Sequence, residues 1–188
     1  MSDDLIIEII PVLVTGIISI IGFVVTNHSM KKNFKNELKR QRDSMALEKM
    51  STMPYEVLAL MDEMNEARKG KNGTQSERVL ERNSKYLKKI MNTIYSYGSE
   101  ESIEIASLMQ KEIYDINRDD ISLDIYRLIS LYVLLATQIK YDITGVSVSP
   151  ELWFKMRLSG YEVDKDKFKN ANNQLIDELK LKDEFRIR

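Results

Sequence analysis

The feature that most constrains this chain is the run from Leu5 to Val25, where Glu8 is the one ionisable residue. From Ile9 to Val25 there is none. Crossing a bilayer core takes roughly 20 predominantly apolar residues in helical form, so the run is long enough to span. A cleaved signal peptide is excluded on two grounds. The leading residues Asp3 and Asp4 are acidic, and no small-x-small cleavage site follows. A buried helix of a soluble core is the other reading, and what comes next argues against it. Lys31, Lys32, Lys35, Lys39, Arg40 and Arg42 crowd the following stretch, and basic residues beside a span stay cytoplasmic, over anionic headgroups. The expectation is a single-pass protein of the cell membrane, with its N-terminus outside and its C-terminal domain in the cytoplasm.

The run also has a pattern within it. At ~100° per residue, Glu8, Pro11, Thr15, Ser19, Gly22 and Thr26 fall on one face, while Ile, Leu, Val and Phe fill most of the rest. Lipid gives no reason to gather small and hydroxylated residues on one stripe. Helix–helix packing does, because small side chains let backbones approach and hydroxyls bond across. A water-lined pore does too, and it accounts for a carboxylate at the outer end of the stripe. Both readings imply a homo-oligomer.

Three segments follow from this: residues 1–26 as the transmembrane segment, 27–52 as a charged juxtamembrane helix, and 53–188 as a helical cytoplasmic domain. The formal charge of −1 lacks the basic excess of nucleic-acid-binding domains. Without cysteine there is no disulfide framework, thiolate metal site or cysteine nucleophile. Seven Gly and three Pro leave few breaks, which favours long helices over a many-turned β fold.

Apolar spacing places one helix after Pro54, with Val57, Leu58, Leu60, Met61 and Met64 inward, and a surface loop at Lys69 to Thr74. A second helix runs from about Ser76 to Tyr97 and ends at Gly98; a third opens at Ser99 with Glu100 and Glu101 at its positive end. Ile121 to Ile139 is the most apolar segment after the first. Arg127, Gln138 and Lys140 make it too short to span, so it reads as the central helix of a bundle, closed by Gly145. Ser149-Pro150 starts a short helix, and a last one covers about Asp164 to Leu181. The fold class expected is all-α: one N-terminal transmembrane helix, then an antiparallel bundle of five or six helices. Leu131, Leu134, Leu135 and Trp153 are its expected core.

No catalytic constellation emerges. The single histidine, His28, lies at the membrane border, and no Glu-x-x-His pair offers a di-metal site. Gly70 and Gly73 fail to match a phosphate loop, and no strand precedes them. The expectation is a non-enzyme with no cofactor and no metal. Lys140-Tyr141-Asp142 offers a polar cluster at a helix end. Tyr95, Tyr97 and Tyr161 put rings at helix ends, open to packing or to recognition.

Three segments carry a resemblance: Ile94 to Glu101, Gln138 to Gly145, and Ser149 to Met156. They resemble uncharacterised small membrane proteins of low-GC Gram-positive bacteria and their mobile elements. The layout of the whole chain is similar to CRISPR-associated and other antiphage membrane accessory proteins, some of which form oligomeric pores with a HEPN-like helical domain. HEPN ribonucleases carry an arginine followed a few residues later by histidine; no arginine precedes His28, so that activity does not transfer. The resemblance implies a pore-forming or membrane-perturbing accessory in antiphage defence. The alternative is a non-pore anchor presenting a bundle to a cytoplasmic protein partner.

Overall fold

The computed structural model describes residues 3–69, 73–119 and 124–188, and within them all side chains except those at 3–14, 17–18, 64–69, 73–81 and 116–119. Seven α-helices occur among the described residues: α1 (Asp3–Met50), α2 (Met53–Lys69), α3 (Gly73–Tyr97), α4 (Glu100–Asp119), α5 (Ile125–Thr144), α6 (Pro150–Arg157) and α7 (Tyr161–Leu179). A short 3-10 turn at Asp183–Phe185 follows, and no strand is present among the described residues. The chain divides into two compact units, Met1–Met45 and Ala46–Arg188.

From Asp3 to Met45 the first unit is continuous helix. Among the described residues no helix is long and apolar enough to cross a membrane. The expected span rests largely on positions 1–14, 17 and 18, whose side chains lie outside the described residues.

In the second unit local chemistry sets the helix ends. The Asp124 carboxylate accepts from the backbone N–H groups of Tyr126 and Arg127 at 3.0 and 3.1 Å, capping α5. Gly145 ends α5 in the left-handed conformation, φ 66°, and donates its N–H to the Tyr141 carbonyl. Ser149 caps α6, and Pro150 takes a first-turn position where its missing donor is not needed. Gly98 is required by space: a Cβ there would lie 2.6 Å from the Ile94 carbonyl oxygen.

Helix α5 is the hub and packs against α2, α4, α6 and α7. Ser130 through Ala136 are buried without interruption, so the helix is enclosed on all sides along two turns. Leu131, Leu134 and Leu135 have no exposed surface, as expected of the core. Around them close Val57 and Leu60 from α2, Ile90 and Ile94 from α3, Ile105 and Met109 from α4, and Leu175 and Ile176 from α7. A second cluster is aromatic. Phe154 sits 4.8 Å from Phe168 and 5.8 Å from Tyr161, ring centre to ring centre, with Val133 and Ile187 completing it.

Four details differ from the sequence expectations. The core plug on α6 is Phe154, while its neighbour Trp153 is half-buried at the edge of both clusters. Helix α7 begins at Tyr161, three residues early, because Gly160 adopts φ 92° and turns the chain straight into it. Helix α3 already includes Gly73, which shortens the expected loop; residues 70–72 lie outside the described residues. Helix α5 begins at Ile125 instead of Ile121, and residues 121–123 lie outside the described residues.

The largest addition is the C-terminal segment. Leu181, Phe185 and Ile187 are buried, and two asparagines of α7 hold the backbone that carries them. Asn172 donates to the Phe185 carbonyl at 3.0 Å. Asn173 donates to the Ile187 carbonyl and accepts from the Ile187 N–H, both at 3.0 Å.

Candidate functional site

Two features stand out once the core is accounted for: an uncovered helix and a groove. Every residue from Ser19 to Met45 is exposed. That includes Ile20 at 66%, Phe23 at 70%, and Ile21, Val24 and Val25 between them and the basic stretch. A water-soluble helix hides one face and wets the other. In this stretch Ile20, Ile21, Phe23, Val24 and Val25 are all exposed and spread over more than half of the helix circumference, opposite Ser19, Gly22 and Thr26.

The stripe residues separate by what is described of them. Glu8 and Pro11 have side chains outside the described residues. Thr15, Ser19, Gly22 and Thr26 are exposed. The Ser19 hydroxyl donates to the Thr15 carbonyl at 2.8 Å, within its own helix. Such back-bonding lets a hydroxyl sit in an apolar surround without an unsatisfied donor, so Ser19 needs no bond to a neighbour. A Cβ added at Gly16 or Gly22 would meet nothing within 4 Å, so nothing within the chain itself requires a small residue at either position.

Lys31, Lys32, Lys35, Lys39, Arg40 and Arg42 are likewise exposed on α1. Arg40 reaches back to Glu37 at 3.6 Å, a surface pair worth little by itself. His28 is exposed among them.

The groove lies between α3 and α4 and encloses about 820 Å³. Its floor is apolar, built from Met91, Ile94, Ile103 and Ala106. Lys88 and Tyr95 rise from α3 and Lys111 and Tyr114 from α4 to form the rim. Tyr95 is 77% exposed and Tyr114 57%. The three helix-end rings therefore part company. Tyr161 is a packing residue, enclosed beside Phe154, whereas Tyr95 and Tyr97 stand in solvent. Exposed tyrosines over an apolar floor are what protein-binding surfaces use. Tyr114, Lys88 and Lys111 escaped the sequence reading because the pairing of α3 with α4 that brings them together is not encoded in local spacing.

Several polar groups tie the helices of the bundle to one another. Asp142 accepts from Ser99 at 2.6 Å, Ser102 at 2.8 Å and Gln138 at 2.8 Å, which ties the start of α4 to the end of α5. The expected polar cluster at Lys140-Tyr141-Asp142 is thus centred on Asp142, while Lys140 points to solvent and Tyr141 packs edge-on against Phe185. Arg127 joins Glu112 at 2.5 Å and Glu178 at 2.6 Å, linking α4, α5 and α7. Burial opposes the guanidinium charge, and the two carboxylates more than offset it, holding the group above its usual range. Glu151 lies 3.0 Å from both Lys155 and Lys165, and the bond to Lys155 leads in holding its carboxyl below the usual range. Among the described residues no group of three His, Cys, Asp or Glu could hold a metal ion. Comparison with protein-family models, curated proteins and solved structures finds no match.

Proposed function

We propose that this chain is a membrane-anchored homo-oligomer whose N-terminal helix crosses the bilayer and whose bundle serves as a cytoplasmic docking module. One observation carries the reading: Ile20, Ile21, Phe23, Val24 and Val25 are exposed together on one helix. Lipid is the cover that suits so broad an apolar arc on a helix. The charge order supplies direction, since acidic residues lead the run and six basic residues follow it. The groove between α3 and α4 supports a protein partner, by the exposed tyrosines on its rim.

Self-association rests on the stripe through Thr15, Ser19, Gly22 and Thr26. A membrane-perturbing role in antiphage defence follows only if the assembled helices enclose water, with Glu8 at the outer mouth. The test is extraction and mass. The protein is expected to resist an alkaline carbonate wash of membranes and to run as an oligomer in mild detergent. Gly22→Leu is expected to reduce that oligomer and Ile21→Leu to leave it intact. Release by carbonate would sink the anchor, and a monomer in detergent would sink the assembly.

A further inference from the structure

Past Leu179 the chain turns back along α7, and its backbone is held there by side chains. Among the described residues, the backbone–backbone bonds from Lys182 onwards stay within the segment, Phe185 to Lys182 and Arg186 to Asp183. The tie to the bundle is a pair of amides. Asn173 donates to the Ile187 carbonyl and accepts from the Ile187 N–H, the two bonds that one strand exchanges with the next. Asn172 splits its amide protons between the Phe185 carbonyl at 3.0 Å and Asn173 Oδ1 at 3.2 Å, which fixes the second asparagine in that pose. Asn172 has no exposed surface, and its own Oδ1 accepts no bond. An amide is costly to bury unless its bonds are made, and both bonds of Asn172 serve the segment.

Amides so placed grip backbone and are blind to side chains, so selection falls to the pockets. Phe185 is fully buried and meets Tyr141 edge-on, ring centres 6.2 Å apart. Ile187 enters the aromatic cluster of Phe154, Tyr161 and Phe168, beside Val133. Between them Arg186 pairs with Asp177 of α7 and with Asp183. Alternate side chains in pockets, with the backbone bonded at both, is how proteins bind an extended peptide. We infer that the face formed by α5, α6 and α7 is a peptide-binding site, filled in cis by Phe185-Arg186-Ile187, which takes an aromatic–basic–aliphatic segment of another chain in trans. Neither the anchor nor the groove between α3 and α4 enters into it. Occupation in cis regulates the site, because an incoming segment meets only the fraction of molecules whose own segment is out.

The probe is a labelled synthetic peptide of residues 182–188, and the receptor is the whole chain in mild detergent. Phe185→Ala together with Ile187→Ala vacates the site. The peptide is expected to bind that variant saturably, at least about tenfold more tightly than it binds the wild type. A peptide carrying Ile187→Pro lacks the N–H that Asn173 accepts, and should bind roughly tenfold more weakly or worse. Asn173→Leu added to the vacated chain should weaken the unaltered peptide to a similar degree. Equal affinity for the two peptides would overturn the grip on backbone. No binding by a vacated chain that keeps its helical circular dichroism would overturn the site. A second protein serves if the vacated chain loses its fold. Residues 182–184 are exposed, so they can be exchanged for a protease recognition sequence and cut in the folded state. The excised segment is expected to stay with the bundle and to exchange for the labelled peptide. A cut protein that unfolds despite added peptide, or that never exchanges its segment, would overturn the inference.

Discussion

Helices α1 and α5 are built from the same apolar residue types and end in opposite situations. Leu131 on α5 has no exposed surface; Ile20 on α1 is 66% exposed. Around α5 the chain supplies its own cover, from four neighbouring helices. Residues 19–45 of α1 are all exposed. Fully burying a large aliphatic or aromatic side chain is worth about 1.5–3 kcal/mol. Five such residues at Ile20 to Val25 therefore forgo up to roughly 8–15 kcal/mol in water, on the scale of the whole net stability of a domain. A helix with that much uncovered apolar surface calls for cover from outside the chain. The lesson is that hydrophobicity identifies what must be buried, and tertiary contacts identify who does the burying.

The sharpest way to break the contrast is to make α1 polar where it is uncovered. Gly16→Lys together with Ile20→Lys places two ammonium groups within the apolar run, each opposing insertion by about 2.5–3.5 kcal/mol near a span's centre. The double variant is expected to leave the membrane fraction on carbonate washing, while the thermal midpoint of the bundle stays put. Retention in the membrane would mean that α1 is not what holds the protein there.

The reverse experiment removes a residue that the bundle covers for itself. Phe185→Ala should cost about 3–5 kcal/mol and Leu134→Ala about 2–5 kcal/mol, read from chemical denaturation. Phe23→Ala on α1 should leave the unfolding of the bundle unchanged. If Phe185→Ala proved neutral, the C-terminal segment would not be part of the core. A smaller loss is expected where the cover is polar. Asp142→Ala leaves buried Ser102 and Gln138 without their shared acceptor, and an orphaned buried donor costs about 1–3 kcal/mol. The isosteric Asp142→Asn should recover part of it, since one amide oxygen still accepts.

Much of the bundle was legible because its signals are local. Gly98, Gly145 and Ser149-Pro150 terminate or start helices through contacts within a few residues, and periodicity alone places Leu131, Leu134 and Leu135 inside. What escaped is non-local. Phe185 and Ile187 follow no helical spacing, and what holds their backbone in place is a pair of asparagines thirteen and fourteen residues away. Phe154 and Trp153 are adjacent aromatics, and only the approach of α7 decides which one fills the core. The groove exists because α3 and α4 pack side by side; neither helix alone shows that Tyr95 and Tyr114 share a rim. The stripe and the basic stretch on α1 were plain in the sequence, since both are patterns of spacing along a single helix.

The finest distinction within the bundle is between rings that pack and rings that face water, and pH can read it. The Tyr161 hydroxyl is enclosed in the aromatic cluster, and burial first, then the charge of Glu151, pushes its pKa up to about 12 from an ordinary 10. The folded state therefore holds this proton more tightly than the unfolded chain does. Its contribution is complete below pH 10 and is lost as pH rises towards 12. At pH 11, midway, the loss should be about 1.4 kcal/mol, the worth of one pH unit of differential protonation. Tyr161→Phe keeps the ring stack with Phe154 and removes the ionisation. The variant is expected to hold a flatter stability profile than the wild type between pH 10 and 12, measured by urea denaturation at each pH. Tyr95→Phe, on a ring 77% exposed, serves as the control and should leave the wild-type slope in place. Identical slopes for the wild type and Tyr161→Phe would place the hydroxyl in water and remove Tyr161 from the closed cluster.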